Sequence, residues 1–195
     1  MVRRAVELSR RRSLIDAAVR VIGEEGSLDV PVRRIAERAG MSPALAFHYF
    51  GDKDAIVVAT MRHLMREFAA EARRGMAAAT TPGQRIEALV RASFSPAQFD
   101  RATVAAWLVF YLRAHSSPQA RRLLKVYQSR LRSNLANAFR AIVPGDRAAE
   151  NAELLGSLID GLYIRHALDP NGPDAAAAIG LCRRWLEATC TTEAS

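Results

Sequence analysis

Apolar positions recur at helical spacing along almost the whole chain, and no alternating strand pattern persists beyond a few residues. Leu14, Ala18, Val21 and Ile22 stripe a first helix that Gly26 stops. Val32, Ile35, Ala36 and Ala39 share one face of a short second helix, and Ser42-Pro43 opens a third that runs to Phe50. Asp52 then caps a long helix to about residue 79, with Ile56, Ala59, Leu64 and Phe68 as buried candidates. Thr80-Thr81-Pro82-Gly83 is the first clear break. Beyond it the pattern predicts helices over about 84–92, 101–115, 118–142, 147–168 and 174–188, with one helical turn near 96–99. Ser116-Ser117-Pro118, Pro144-Gly145 and Asp169-Pro170-Asn171-Gly172-Pro173 punctuate them. The expected fold class is all-α, with about nine helices: a three-helix head over 1–53 and a larger helical body over 54–195.

Residues 31–50 form the most specific motif. Gly40 stands where the chain must turn between two short helices, a place for positive φ. Ser42 can accept a bond from an orphan N–H of the following helix, and Pro43 fits its first turn. This is a helix-turn-helix, whose second helix enters a DNA major groove. Ser42, Pro43, Ala44 and Phe47 offer few hydrogen bonds, so readout there rests on contacts to thymine methyls. Arg33 is the better base reader, because Arg bonds guanine bidentately. His48, Tyr49 and Lys53 suit phosphates, and Lys53 opens a helix whose N–H groups face an anion. Arg3, Arg4, Arg10, Arg11 and Arg12 form a basic arm leading into the first helix, with Arg10 and Arg11 adding electrostatic grip. Leu45, Ala46 and Phe50 read as head core.

Composition agrees with this picture. Half of the 195 residues are apolar, enough for a core. The formal net charge of +8 is carried largely by arginine and suits a polyanionic partner. The basic run Arg121, Arg122, Lys125, Arg130, Arg132 and Arg140 reads as a solvated helix face. Cys182 and Cys190 fall in one helix about 12 Å apart, too far for a mutual disulfide, which suits a reducing cytosol. The longest apolar run, Ala105 to Leu112, is too short to span a bilayer, and the first residues carry no apolar signal core. A cytoplasmic protein without membrane contact is expected. His48, His63, His115 and His166 lack metal-ligand spacing, and no nucleophile–base arrangement or phosphate loop appears. No catalysis, cofactor or metal is expected. An architectural DNA binder without a ligand is the remaining alternative.

The pattern Ile35-Ala36 … Ala39-Gly40-Met41-Ser42 … His48-Tyr49-Phe50 … Asp52-Lys53 resembles the TetR family of bacterial repressors. That resemblance implies an all-helical homodimer reading a palindromic operator in double-stranded DNA, with a ligand pocket in each body. Pro31 departs from it, standing where the family usually has a capping Thr or Ser. Trp107-Leu108-Val109-Phe110-Tyr111, Arg130-Leu131 … Ser133-Asn134-Leu135 and Leu158-Ile159-Asp160-Gly161-Leu162-Tyr163-Ile164-Arg165 resemble the BetI type, the choline-responsive repressors of glycine-betaine synthesis genes. Tyr111 and Tyr163 stand where tryptophans are expected.

A choline site needs aromatic faces, each worth ~0.5–2 kcal/mol against a fixed cation. Phe94, Trp107, Phe110, Tyr111 and Tyr163 are the local supply, and Asp160 is the acid that could counter the charge. The same aromatics could be plain core, and Asp160 could instead cap or pair with Arg165. Another quaternary amine, or a different lipophilic or cationic ligand, is the alternative effector. Gly156, Ser157, Gly161 and Ala167 permit close helix approach, so the last two helices of each subunit could build a two-fold four-helix bundle.

Overall fold

In the computed structural model, which describes residues 2–144 and 146–192, the described residues form nine α-helices and no strand. They are α1 (Val2–Glu25), α2 (Val32–Arg38), α3 (Pro43–Phe50), α4 (Lys53–Ala78), α5 (Pro82–Ser93), α6 (Arg101–Ser116), α7 (Pro118–Phe139), α8 (Arg147–Ala167) and α9 (Ala175–Thr192). The side chains of Arg3, Arg4 and Cys190, and residue Gly145, lie outside the described residues.

Local chemistry sets the boundaries. Asp52 accepts from Ala55 N at 2.7 Å and opens α4. Thr81 and Gln84 form a reciprocal capping box, which starts α5 at Pro82, two residues before the expected start. Asp174 accepts from Ala177 N at 2.9 Å at the head of α9. Residues 95–99 make one helical turn through Gln98 N and Phe99 N to Ser95 O, and do not propagate. α7 ends at Phe139, before the expected residue 142; a hydrogen-bonded turn follows, with Val143 N on Phe139 O. The basic arm departs from expectation. It is helical from Val2, and α1 carries residues 5–10 exposed on its first turns.

Two compact units result. One contains residues 1–64 and 101–123; the other contains 65–100 and 124–195. In the first, α1 packs on α6 and α2, around Leu14, Ala18, Ile22, Ile35 and Ile56. Gly23 makes the α1–α6 approach possible: a Cβ there would sit 2.0 Å from the Ala102 carbonyl oxygen. In the second, α8 and α5 both pack on α9, and Gly75 of α4 lies against Ala88 of α5. Cys182 is fully buried there, and burial, with a smaller contribution from the Glu87 charge, pushes its thiol up to about 12. It is an inert apolar side chain at neutral pH.

Candidate nucleic-acid interface and ligand site

The turn between α2 and α3 is a Schellman motif. Gly40 N bonds to Glu37 O at 3.0 Å, Met41 N to Ala36 O at 2.9 Å, and Gly40 has φ +67°. Ser42 then caps α3, accepting from Leu45 N at 3.3 Å, with Pro43 in the first turn. Pro31 supplies no side-chain cap to α2; its carbonyl accepts from Arg34 N at 2.9 Å. Val32, Ile35, Ala36 and Ala46 are buried, so the motif is seated on the head core by both helices.

This seating turns one face of α3 outward. Ser42, Ala44, Phe47 and His48 are exposed, while Pro43 and Tyr49 are half-buried. Phe47 is 46% exposed, unusual for so large an apolar side chain. The His48 and Tyr49 rings lie 5.5 Å apart, tilted. Phe50, expected in the core, is instead half-buried beneath a cation: the Arg11 guanidinium lies 4.8 Å from its ring centroid. That contact is worth about 0.5–1 kcal/mol at a partly exposed site. It ties α1 to the end of α3 and holds Arg11 beside the exposed face. Arg10 is exposed on the same stretch of α1.

The cations around the motif carry acidic partners, most of which spacing alone does not reveal. Arg33 Nε lies 2.6 Å from Glu37 Oε1, Arg34 pairs with Glu25, and Arg38 grips Glu24 with both guanidinium nitrogens, at 3.1 and 2.6 Å. Lys53 Nζ lies 2.8 Å from Asp29 Oδ1. The Lys53 hydrogen bond, then its charge, hold the Asp29 carboxyl below its usual range. The Arg33–Glu37 pair is an i,i+4 spacing visible in the sequence; the other three depend on the tertiary fold.

The aromatic residues of the sequence reading divide between the two units. Trp107, Phe110 and Tyr111 lie on α6, Trp107 with ring centroids 6.4 Å from Phe110 and 6.3 Å from Tyr111. Trp107 and Phe110 are buried and Tyr111 is half-buried. Phe94, Asp160 and Tyr163 belong to the second unit. There Phe94 and Tyr163 join Phe99, with centroids 4.9–5.8 Å apart, and His166 stacks edge-on against Phe99 at 5.2 Å. The Tyr163 hydroxyl donates to the Ser93 carbonyl and lies 3.4 Å from that of Gln98. This cluster clamps the end of α5 and the 95–99 turn to α8. Phe99 and His166 were not foreseen; the i,i+3 spacing of Tyr163 and His166 was the available signal.

Asp160 borders an open groove of about 300 Å³ between α7 and α8, together with Gly156 and Ser157. Gly161 and Ala167 are half-buried farther along α8. Leu154, Ile164 and Leu168 are exposed apolar residues of α8 and its C-cap, and Leu181 is exposed on α9. A second cavity, of about 470 Å³, lies between α4 and α7 and is floored by Phe68, Ala72 and Tyr127. Burial, with a smaller contribution from the Asp160 charge, raises the Tyr127 hydroxyl far above its ordinary range, so it stays protonated. Among the described residues no group of three His, Cys, Asp or Glu could hold a metal ion, and no helix is long and apolar enough to cross a membrane.

A capped helix-turn-helix in an all-helical chain is the arrangement of a DNA-binding regulator of transcription. Family comparison agrees in both parts. Residues 14–60 match the bacterial regulatory proteins of the tetR family, and residues 82–191 match the C-terminal region of the BetI-type transcriptional repressors. The HTH-type transcriptional regulator BetI of Brucella canis is 51% identical over 181 residues, 93% of this chain and 91% of that protein. Its counterpart from Rhizobium meliloti is 46% identical over 183 residues, 94% and 90% respectively. The chain belongs to the TetR family of transcriptional regulators and, within it, to the BetI type. Solved structures share the fold. A Saccharomonospora viridis transcriptional regulator crystallised in complex with choline superposes with a TM-score of 0.78, at 22% identity, covering 91% of this chain and 95% of that one. A TetR regulator from Haloarcula marismortui gives 0.79 at 18% identity, covering 95% and 98%.

Proposed function

We propose that this repressor binds a palindromic operator as a homodimer, responds to choline and controls glycine-betaine synthesis genes. The observation that carries the reading is the identity of about one half to BetI regulators across nearly the whole chain. The choline complex of a protein with the same fold supports the ligand.

In this reading α3 lies in the major groove. Ala44 and Phe47 meet base edges and methyls, and Ser42, Pro43, His48 and Tyr49 line the sugar-phosphate approach. Arg33 leaves Glu37 to read a guanine, and Lys53 leaves Asp29 for a phosphate at the start of α4. Arg10 and Arg11 add charge from α1. The exposed Leu154, Ser157 and Ile164 of α8 and Leu168 at its C-cap, with half-buried Gly161 between them and Leu181 on α9, support a four-helix bundle between two copies. Two-fold symmetry then sets the recognition helices one DNA turn apart, ~34–36 Å. In the effector body, Asp160 supplies the countercharge for the quaternary amine, and Phe94 and Tyr163 supply aromatic faces from the same unit. Ligand binding shifts α4, the spacing no longer matches, and DNA affinity falls. By linkage, the operator weakens choline binding by the same factor.

The test is fluorescence anisotropy of the full-length protein on DNA from its own promoter, with and without millimolar choline. Choline should weaken binding, and Asp160→Asn should lose that response while binding DNA normally. Unchanged binding with choline removes the choline assignment and favours a repressor of another lipophilic or cationic ligand. A protein that stays monomeric and shows no salt-sensitive duplex affinity removes the operator reading as well.

A further inference from the structure

Arg121, Arg122, Lys125, Arg130, Arg132 and Arg140 are all exposed, as a solvated helix face requires. Arg130 stands at the mouth of the α4–α7 cavity, with Arg73 of α4. We propose that this cavity binds an amphipathic organic anion: an apolar body against its floor and a carboxylate head at the two guanidinium groups.

Three observations carry this. The cavity volume of about 470 Å³ is within the range of small-molecule sites. Its floor is aromatic and apolar, with Phe68 and Tyr127 packed edge to face at 5.2 Å and Ala72 buried beside them. Met65 and Met76, both half-buried, flank it with flexible, polarisable side chains that conform to an extended apolar chain. The polar rim is one-signed: it includes Arg73 and Arg130 and no carboxylate. Among the described residues neither guanidinium pairs with an acid, whereas Arg33, Arg34, Arg38, Arg113 and Arg183 all do. A guanidinium left unpaired beside an apolar floor recognises a carboxylate through charge-assisted, fork-shaped hydrogen bonds. The same two charges repel a quaternary amine. This site is therefore independent of the choline reading and takes ligands of the opposite sign.

Isothermal titration calorimetry of the full-length protein with octanoate, octyltrimethylammonium and 1-octanol tests it. Octanoate should bind saturably, one per chain, and at least tenfold more tightly than either matched compound. Arg73→Gln with Arg130→Gln should weaken octanoate at least tenfold and leave octanol unchanged. Ala69→Phe, which fills the cavity from its half-buried wall, should abolish binding of both, with thermal unfolding used to select folded variants. Absence of saturable octanoate binding, preference for the cation, or affinity unmoved by the arginine changes would overturn the proposal. Choline response on operator DNA is read separately, so failure of one site is distinguishable from failure of the other.

Discussion

Lys53 Nζ and Asp29 Oδ1 lie 2.8 Å apart, joining the start of α4 to the loop before α2. Asp29 is 97% exposed at its side chain, so the pair is held by charge in solvent rather than by packing. In the proposed complex a phosphate would compete with Asp29 for the same ammonium. Removing the acid releases the lysine and deletes a negative charge beside the DNA. Asp29→Asn should tighten operator binding about two- to fivefold, the scale of an exposed pair. Lys53→Gln should weaken binding on all duplexes alike and lower the slope of log affinity against log salt by about 0.9. Anisotropy titrations between 50 and 200 mM salt, roughly the range over which counterion release dominates, check both.

Arg33, proposed above as the base reader, has its Nε bonded to Glu37 Oε1 at 2.6 Å. Arg33→Ala should relax preference at a single base pair of each half-site by about tenfold or more, without changing affinity for unrelated DNA by as much. Competition binding against a panel of singly substituted operators would show it. Equal loss on all sequences would make Arg33 a phosphate contact.

Gly23 and Ala102 set how closely α1 approaches α6. The obstruction to a Cβ is backbone, not a flexible side-chain tip. Gly23→Ala should destabilise the protein by at least ~2 kcal/mol, because the helices must separate. By contrast, Gly83→Ala meets open space within 4 Å and should be close to neutral. Urea unfolding monitored by circular dichroism compares the two.

Glu87 and Arg183 join α5 to α9 through two contacts from Arg183 Nε, at 3.0 and 3.2 Å, and a third from its terminal nitrogen. The Arg183 hydrogen bond holds the Glu87 carboxyl below the usual glutamate value. Because the folded form titrates lower than the unfolded, the pair's stabilisation is complete above that value and disappears as pH falls through the folded one. Glu87→Gln should lower Tm by about 1–3 °C at pH 7, reduced by solvent screening of the half-exposed arginine. The difference should shrink as pH falls below the ordinary glutamate range and the folded carboxylate takes up its proton. Thermal melts of both proteins across that interval are the measurement.

The Tyr163 hydroxyl fastens α8 to the end of α5 through the Ser93 carbonyl. Tyr163→Phe keeps the ring and deletes the donor. The loss should be about 1–2 kcal/mol, since a buried carbonyl is left with one partner fewer. If the ring alone faces the effector, choline response should survive this change, which calorimetry at matched protein stability would reveal.

Helix number, order and most boundaries were legible because each rests on local chemistry. Apolar spacing marks a buried stripe, and Gly40, Ser42, Asp52 and Asp174 act on backbone groups within a few residues of themselves. For the same reason the exposed face of α3 was legible: with α2 seated through Val32 and Ile35 and α3 through Ala46, α3 has only one side left to present. The surroundings of each charge and ring were decided by the tertiary fold. Arg11 lies over Phe50, Asp29 holds Lys53, and Phe99 completes the Phe94–Tyr163 cluster. Each joins groups far apart in sequence, where no periodicity connects them. Arg130 shows the consequence most plainly. On α7 alone it is one more solvated cation, and only the packing of α4 beside it sets an apolar floor next to its charge.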